Sequence, residues 1–277
     1  MRRLLLFVLA LLGMALACGA TSAVADSSSG MGGFSAWNPG GSALAGAAPT
    51  APDPNGDVTC SGDPDMPAFA PAIVPHDLIV PPGRGCIAGD GTTIGHDVLV
   101  KPGARLGTGG ITVGHDVVGD HPDVIEIGDF ARGSGRSAIG HDVNVNGGSS
   151  DNFLQEVCNA AVAHSVIWQN VAASAALSVG DQDFLCFTGT VHVGQDGIFR
   201  NNQGVFLEIS DNNPANGGGG FGHNLIVQNN ASTVVESNAI GQDCLQQNNH
   251  PYTNDDGDST GPNTAGHSIG GCNTPNS

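Results

Sequence analysis

Ile94-Gly95-His96-Asp97-Val98-Leu99-Val100, followed by Lys101-Pro102-Gly103, holds the pattern that decides the fold. Apolar residues alternate with others, the period of a strand, and Gly or Pro-Gly punctuates either end. The tetrad Gly-His-Asp-Val returns at Gly114-His115-Asp116-Val117 and Gly140-His141-Asp142-Val143. Variants stand at Pro75-His76-Asp77-Leu78, Ala163-His164-Ser165-Val166, Gly194-Gln195-Asp196-Gly197, Gly222-His223-Asn224-Leu225, Gly241-Gln242-Asp243-Cys244 and Gly266-His267-Ser268-Ile269. The intervals are 20, 19, 26, 23, 31, 28, 19 and 25 residues, the length of one solenoid coil with loops of varying size inserted. The sequence therefore predicts an all-β chain with a single parallel β-helix over residues 58–277, right-handed by strand twist and crossover preference. Residues 151–178 are the least regular, and their Ala-rich run leaves room for a short helix.

The first coils also align outside the tetrad. Val80-Pro81-Pro82-Gly83-Arg84-Gly85-Cys86 lies 20 residues before Val100-Lys101-Pro102-Gly103-Ala104-Arg105-Leu106, so Cys86 falls in the inward row of Leu106. Six cysteines follow residue 18: Cys60, Cys86, Cys158, Cys186, Cys244 and Cys272. Six allow fifteen pairings. Their sequential spacings of 26, 28 and 28 residues match one coil, and stacked coils bring equivalent positions to about 4.8 Å, inside disulfide reach. The expected bonds are Cys60–Cys86, Cys158–Cys186 and Cys244–Cys272, bracing the first, middle and last coils.

Repeats of the Ile-x-Gly-Asn-Val-x-Val type with scattered Cys, ending in a Cys-containing tail after an Asn-rich stretch, resemble exported, uncharacterised β-helix proteins of actinobacteria. The tail here runs from Asn238-Ala239-Ile240-Gly241-Gln242-Asp243-Cys244 to Gly270-Gly271-Cys272. The chain departs from that pattern by placing His or Gln where Gly usually stands and Asp where Asn usually stands. The resemblance implies a fold and an exported location, and no activity or functional residue.

Arg2-Arg3, the apolar residues 4–17 and Ala23-Val24-Ala25 read as a secretory signal peptide over residues 1–25. A competing reading is lipid anchoring through Cys18 after Ala15-Leu16-Ala17. Residues 26–57, rich in Gly, Ser, Ala and Pro, read as a flexible leader. No apolar run reaches the roughly 20 residues of a membrane span. Two of the eight basic residues and none of the 26 acidic ones precede residue 26, so the chain's net charge of −18 becomes −20 beyond it. That balance argues against nucleic acid as a partner. It leaves cell-wall or extracellular polysaccharide, self-association, or divalent cations.

Seven of the ten histidines share the tetrad position: His76, His96, His115, His141, His164, His223 and His267. In register they form a column, with His96, His115 and His141 as the metal candidates beside Asp97 and Asp116. The simpler reading is a ladder of corner residues bonding exposed backbone at each bend. Strand parity turns His96 inward and a corner at Gly95 turns it outward; both stay open. Stacked imidazoles repel when protonated, which predicts lowered pKa values and a stack that loosens in acid. Asn254-Asp255-Asp256-Gly257-Asp258 spaces oxygens like the start of a calcium loop, with Asp256 and Asp258 as candidates, but lacks the rest of the motif. If the chain is an enzyme, paired carboxylates for polysaccharide cleavage come from Glu126 and Asp129, near Asp120, Asp123, Arg132 and Arg136, and from Glu208 and Asp211. The favoured expectation is a non-enzymatic structural, adhesive or ligand-presenting solenoid with no cofactor.

Overall fold

The computed structural model describes residues 51–65, 67–128, 135–148, 154–172, 176–180, 191–204, 206–214, 219–250 and 262–273. Their strands stack into three sheets in which every strand-to-strand pairing is parallel. The chain is an all-β parallel β-helix. One coil shows the plan. Thr93–Ile94 lies in a seven-stranded sheet, Val98–Val100 in a ten-stranded sheet, and Arg105–Thr108 in an eight-stranded sheet. The Gly-His pair turns the first corner and Pro102-Gly103 the second.

The first five copies of the tetrad lie at the corner that opens a strand of the ten-stranded sheet, with the last residue pointing inward; in the final copy the register shifts by one, and Ile269 points outward. Val98, Val117, Val143 and Val166 are fully buried and stacked in register. The next inward row carries Val100, Val145, Trp168, Phe199 and Val227. Burial of these β-branched and aromatic side chains supplies the main favourable term in folding.

The tetrad glycine answers a close approach between coils. A Cβ added to Gly114 would stand 2.2 Å from the carbonyl oxygen of Gly95, and one on Gly140 would meet Gly114 at the same distance. Turn glycines serve differently: Gly83 and Gly103 adopt φ of 64° and 68°, which L side chains rarely enter. Further along the chain, Asn170, Asn201, Asn229 and Asn248 take over that conformation at the equivalent corner. Their exposed amides link from coil to coil, as in Asn170 to Asn146 at 2.7 Å and Asn229 to Asn201 at 3.2 Å.

Two further asparagine rows run inside. Asn202 and Asn230 donate to the carbonyls of Trp168 and Phe199 in the coil before and accept from backbone N–H groups, while Asn249 donates to Val227. Asn212, Asn238 and Asn263 form the second row at the corner after the eight-stranded sheet. These rows satisfy backbone groups where the chain leaves the sheets, which buried corners must do.

The sequence expectations need two corrections here. The described parts of residues 151–178 are strands, Leu154–Val157, Ala160–Val162, Val166–Gln169 and Ala176–Val179, not a helix; the alanines fit because their rows pair with neighbours on both sides. The disulfides Cys60–Cys86 and Cys244–Cys272 form as paired above, with Cα separations of 5.6 and 6.0 Å, but not between equivalent positions of stacked coils. Cys60 continues the first strand of the ten-stranded sheet, whereas Cys86 lies in the eight-stranded sheet, so the bond crosses the core. Cys272 sits in the closing 3-10 turn, Gly270–Asn273, and fastens it to Cys244. Cys158 is buried and disulfide-bonded, and its expected partner Cys186 lies outside the described residues.

Candidate functional site

The seven- and ten-stranded sheets meet at a corner where the tetrad histidines leave the chain. Backbone register holds them together: His96 N–H donates to the His76 carbonyl, His115 to His96, His141 to His115 and His164 to His141, each at 3.0 Å. The rings face outward, from 35% exposed at His141 to 47% at His76, which settles the parity question in favour of the corner. His76, His96, His115 and His141 stack with centroids 4.7–5.0 Å apart and planes within 10° of parallel. His164 closes the stack tilted by 60°, in the coil where Ala163 replaces the tetrad glycine.

Each aspartate serves the coil that follows. Asp97 Oδ1 accepts from the Asp116 backbone N–H and lies 2.9 Å from His115 Nδ1. Asp57, Asp77 and Asp116 repeat this with His76, His96 and His141 at 2.7, 2.9 and 2.8 Å. The second contact is to the same coil: Asp97 Oδ2 stands 3.3 Å from His96 Nδ1. The ladder of backbone-bonding corner residues is therefore real, but it bonds between coils rather than within each bend. It begins at Asp57, the residue before the expected domain start, and one His–Asp rung returns at His267 and Asp243, 3.0 Å apart.

At His76 and His115 the lowering expected from ring repulsion is reversed. His76 and His115 have pKa values raised from 6.5, first by the hydrogen bonds to Asp57 and Asp97 and then by neighbouring carboxylates, against a smaller opposing effect of burial. Asp57 is lowered, first by its bond from His76; burial pushes Asp97 up, but the bonds from the Asp116 amide and His115 outweigh it. A raised histidine gives stability that is complete below its unfolded pKa and lost as pH rises through the folded one. A lowered aspartate gives stability present above its unfolded pKa and lost as pH falls through the folded one. The metal-free protein is expected to melt highest between about pH 4.5 and 6 and lower near pH 8, given ordinary values of about 3.9 and 6.5. Thermal unfolding of the wild type and His76→Gln/His115→Gln checks this: the difference shrinks in the variant, and a wild-type melting point that rises from pH 6 to pH 8 contradicts it.

The carboxylate candidates are distributed differently from their sequence clusters. Glu126 alternates with the core residues Ile125 and Ile127, so it lies on the outer side of the eight-stranded sheet, yet it is only 7% exposed. Its register neighbour on the next coil is Glu156, 2% exposed, a pairing the sequence reading did not identify. Ser178 and then Glu208 continue the row, placing Glu208 three coils from Glu126 and next to Ser210, whose hydroxyl donates to it at 2.9 Å. Asp211 is a buried corner residue with φ of 56°. Asp123 accepts from Arg105 Nε at 2.6 Å, Arg136 donates to the Ala160 carbonyl, and Asp120 pairs with His121. Asp129, Arg132, Asp256 and Asp258 lie outside the described residues.

A third feature was not read from the sequence. The outward row in the middle of the ten-stranded sheet runs Thr59, Ile79, Leu99, Val118, Asn144, Ile167, Ile198, Ile226, Leu245 and Ile269, eight aliphatic residues in ten register positions. The residue directly after each inward tetrad valine carries the signal, hidden because coils of unequal length do not align by eye.

Fold and site define a parallel β-helix with a histidine-aspartate edge. Against family models, curated proteins and solved structures, the chain finds no match.

Proposed function

We propose that the protein is an exported, non-enzymatic structural solenoid that works through the outer face of its ten-stranded sheet, and that this face seats a second copy of the chain. The observation that carries the reading is the aliphatic row from Ile79 to Ile269. Outer faces of solenoids meet water, and an apolar stripe there, interrupted at Asn144, marks an interaction surface. At about 4.8 Å per coil the row extends roughly 38 Å, and a strand segment of five residues is about 16 Å wide. The resulting face of roughly 600 Å2 stands at the lower end of the roughly 600–1,000 Å2 per partner of a stable interface.

A two-fold axis parallel to the coil axis keeps each coil at its own height and sets Asp142 and Asp196 of one copy opposite Asn146 and Arg200 of the other, pairing acceptors with donors. The N-terminal signal pattern and the disulfides both fit an oxidising, extracellular setting. No helix among the described residues is long and apolar enough to cross a membrane.

Sedimentation velocity of the oxidised protein tests the reading. The wild type sediments as a dimer at micromolar concentration and Ile198→Asp/Ile226→Asp as a folded monomer. A monomeric wild type, or a variant that still dimerises, overturns it. The second reading, a polysaccharide-active enzyme, rests on Glu126 and Glu156 standing on successive coils. Oligosaccharides released from cell-wall or acidic polysaccharides, and lost in Glu126→Gln, would replace the structural reading.

A further inference from the structure

Four overlapping groups follow one another along the corner: His76-Asp77-His96, His96-Asp97-His115, His115-Asp116-His141 and His141-Asp142-His164. Within each, the ligand atoms all lie within 4.8 Å of one another. The finer distances decide what they suit. In the second group Asp97 stands with Oδ2 3.3 Å from His96 Nδ1 and Oδ1 2.9 Å from His115 Nδ1, one oxygen to each ring. In the first group the single oxygen Asp77 Oδ1 meets both rings, at 3.4 and 2.9 Å, and Asp116 again gives one oxygen to each, at 3.3 and 2.8 Å. Two ligand atoms bonded to one ion at about 2.0–2.1 Å are about 2.9 Å apart at a right angle and about 3.3 Å apart at a tetrahedral one. The nitrogen–oxygen separations are edge lengths of a coordination sphere, while the rings, with centroids 4.7–5.0 Å apart, turn toward the ion to bring two Nδ1 atoms within the roughly 4.2 Å that two such bonds span.

We propose that this column binds divalent transition-metal ions, of the zinc, copper or nickel class, between successive imidazoles, with two ions per chain at saturation. Each ion takes Nδ1 of two neighbouring rings and a carboxylate oxygen of the aspartate between them. Imidazole nitrogen selects these metals over calcium and magnesium. In the ion-free protein a proton lies between Nδ1 and the carboxylate; on binding, a neutral ring gives up that proton and takes one at Nε2 by exchange with solvent, and a doubly protonated ring loses its Nδ1 proton to solvent and keeps the one at Nε2. Binding therefore weakens in acid. The rings are about half exposed, so the remaining coordination positions face water.

The limit of two follows from sharing. His96, His115 and His141 each belong to two groups, and one Nδ1 holds one ion, so neighbouring groups cannot fill together. The same rule fixes the effect of each substitution. Losing His115 leaves the first and fourth groups, which share no ring, and capacity stays at two. Losing His96 leaves the third and fourth, which share His141, and capacity falls to one. Losing His141 also leaves one, and losing both leaves none.

Gln is the test residue because the chain already carries it at this corner, at Gln195 and Gln242, where the backbone ladder continues unbroken. Equilibrium dialysis of the oxidised protein against zinc chloride near neutral pH, with metal counted per chain and folding checked by circular dichroism, gives the result whatever the state of association. The expected losses relative to wild type are none for His115→Gln, one ion for His96→Gln, one for His141→Gln and two for the double variant. Zinc bound elsewhere, as at His192 or His250, cancels in the differences. A double variant that binds as much as wild type overturns the proposal, as does a loss in His115→Gln equal to that in His96→Gln.

Discussion

Asn238→Ala is expected to cost about 3 kcal/mol or more and to open the C-terminal coils first, because each buried group left without a partner costs about 1–3 kcal/mol. Asn238 is 1% exposed. Its side-chain amide donates to the Ile209 and Glu236 carbonyls at 2.7 and 2.8 Å and to Asn263 Oδ1 at 2.9 Å, and its oxygen accepts from Asn212 at 2.8 Å. Truncation leaves those carbonyls and the Asn212 amide in a dry corner that water cannot enter without displacing the coil. Asn238→Asp does not rescue it, since a carboxylate faces the same carbonyls. Urea unfolding gives the loss, and hydrogen exchange at Thr233–Glu236 shows whether it is local. A loss below about 0.5 kcal/mol would mean that the row is decoration on a fold held by its aliphatic core.

Removing the terminal bond as Cys244→Ala/Cys272→Ala is expected to cost about 3–4 kcal/mol, by the loop-closure entropy of its 28-residue span. The effect is structural as well as entropic. His267–Ile269 is the last strand of the ten-stranded sheet, paired on one side only, and the turn pinned by Cys272 follows it directly. Asn263 also donates to the Cys272 carbonyl at 3.0 Å, so releasing Cys272 loosens the end of the buried asparagine row. The variant should exchange the amides of 267–269 rapidly and associate through the freed edge on warming. Unchanged exchange there, with an unchanged melting point, would show that the final coil holds itself.

The sequence made the architecture readable because the tetrad reports three constraints in four residues. The glycine marks a carbonyl of the preceding coil standing where a Cβ would be, the aspartate marks an acceptor for the next coil's N–H, and the valine marks the core. The side on which the histidines emerge was not readable, since alternation and corner give opposite answers and only the backbone path chooses. The cysteine spacing predicted the partners and missed the geometry: a spacing near one coil also fits a bond from one sheet to the next across the core. Asn201-Asn202, Asn229-Asn230 and Asn248-Asn249 repeat in the sequence and carried a signal that was passed over, one residue outward in the left-handed corner and the next inward to the backbone. The Glu126–Glu156 pair stayed hidden because its spacing of 30 residues exceeds the 20 and 19 of the first coils, which breaks the count that would have aligned them.

The account turns on carboxylates of one coil holding the imidazoles of the next, and the position of the ring proton reports that directly. Nitrogen-15 NMR of the metal-free protein above the histidine titration range should place the proton of His76, His96, His115 and His141 on Nδ1, facing Asp57, Asp77, Asp97 and Asp116. Protons found on Nε2 in those four rings, with Nδ1 bare beside a carboxylate, would contradict it.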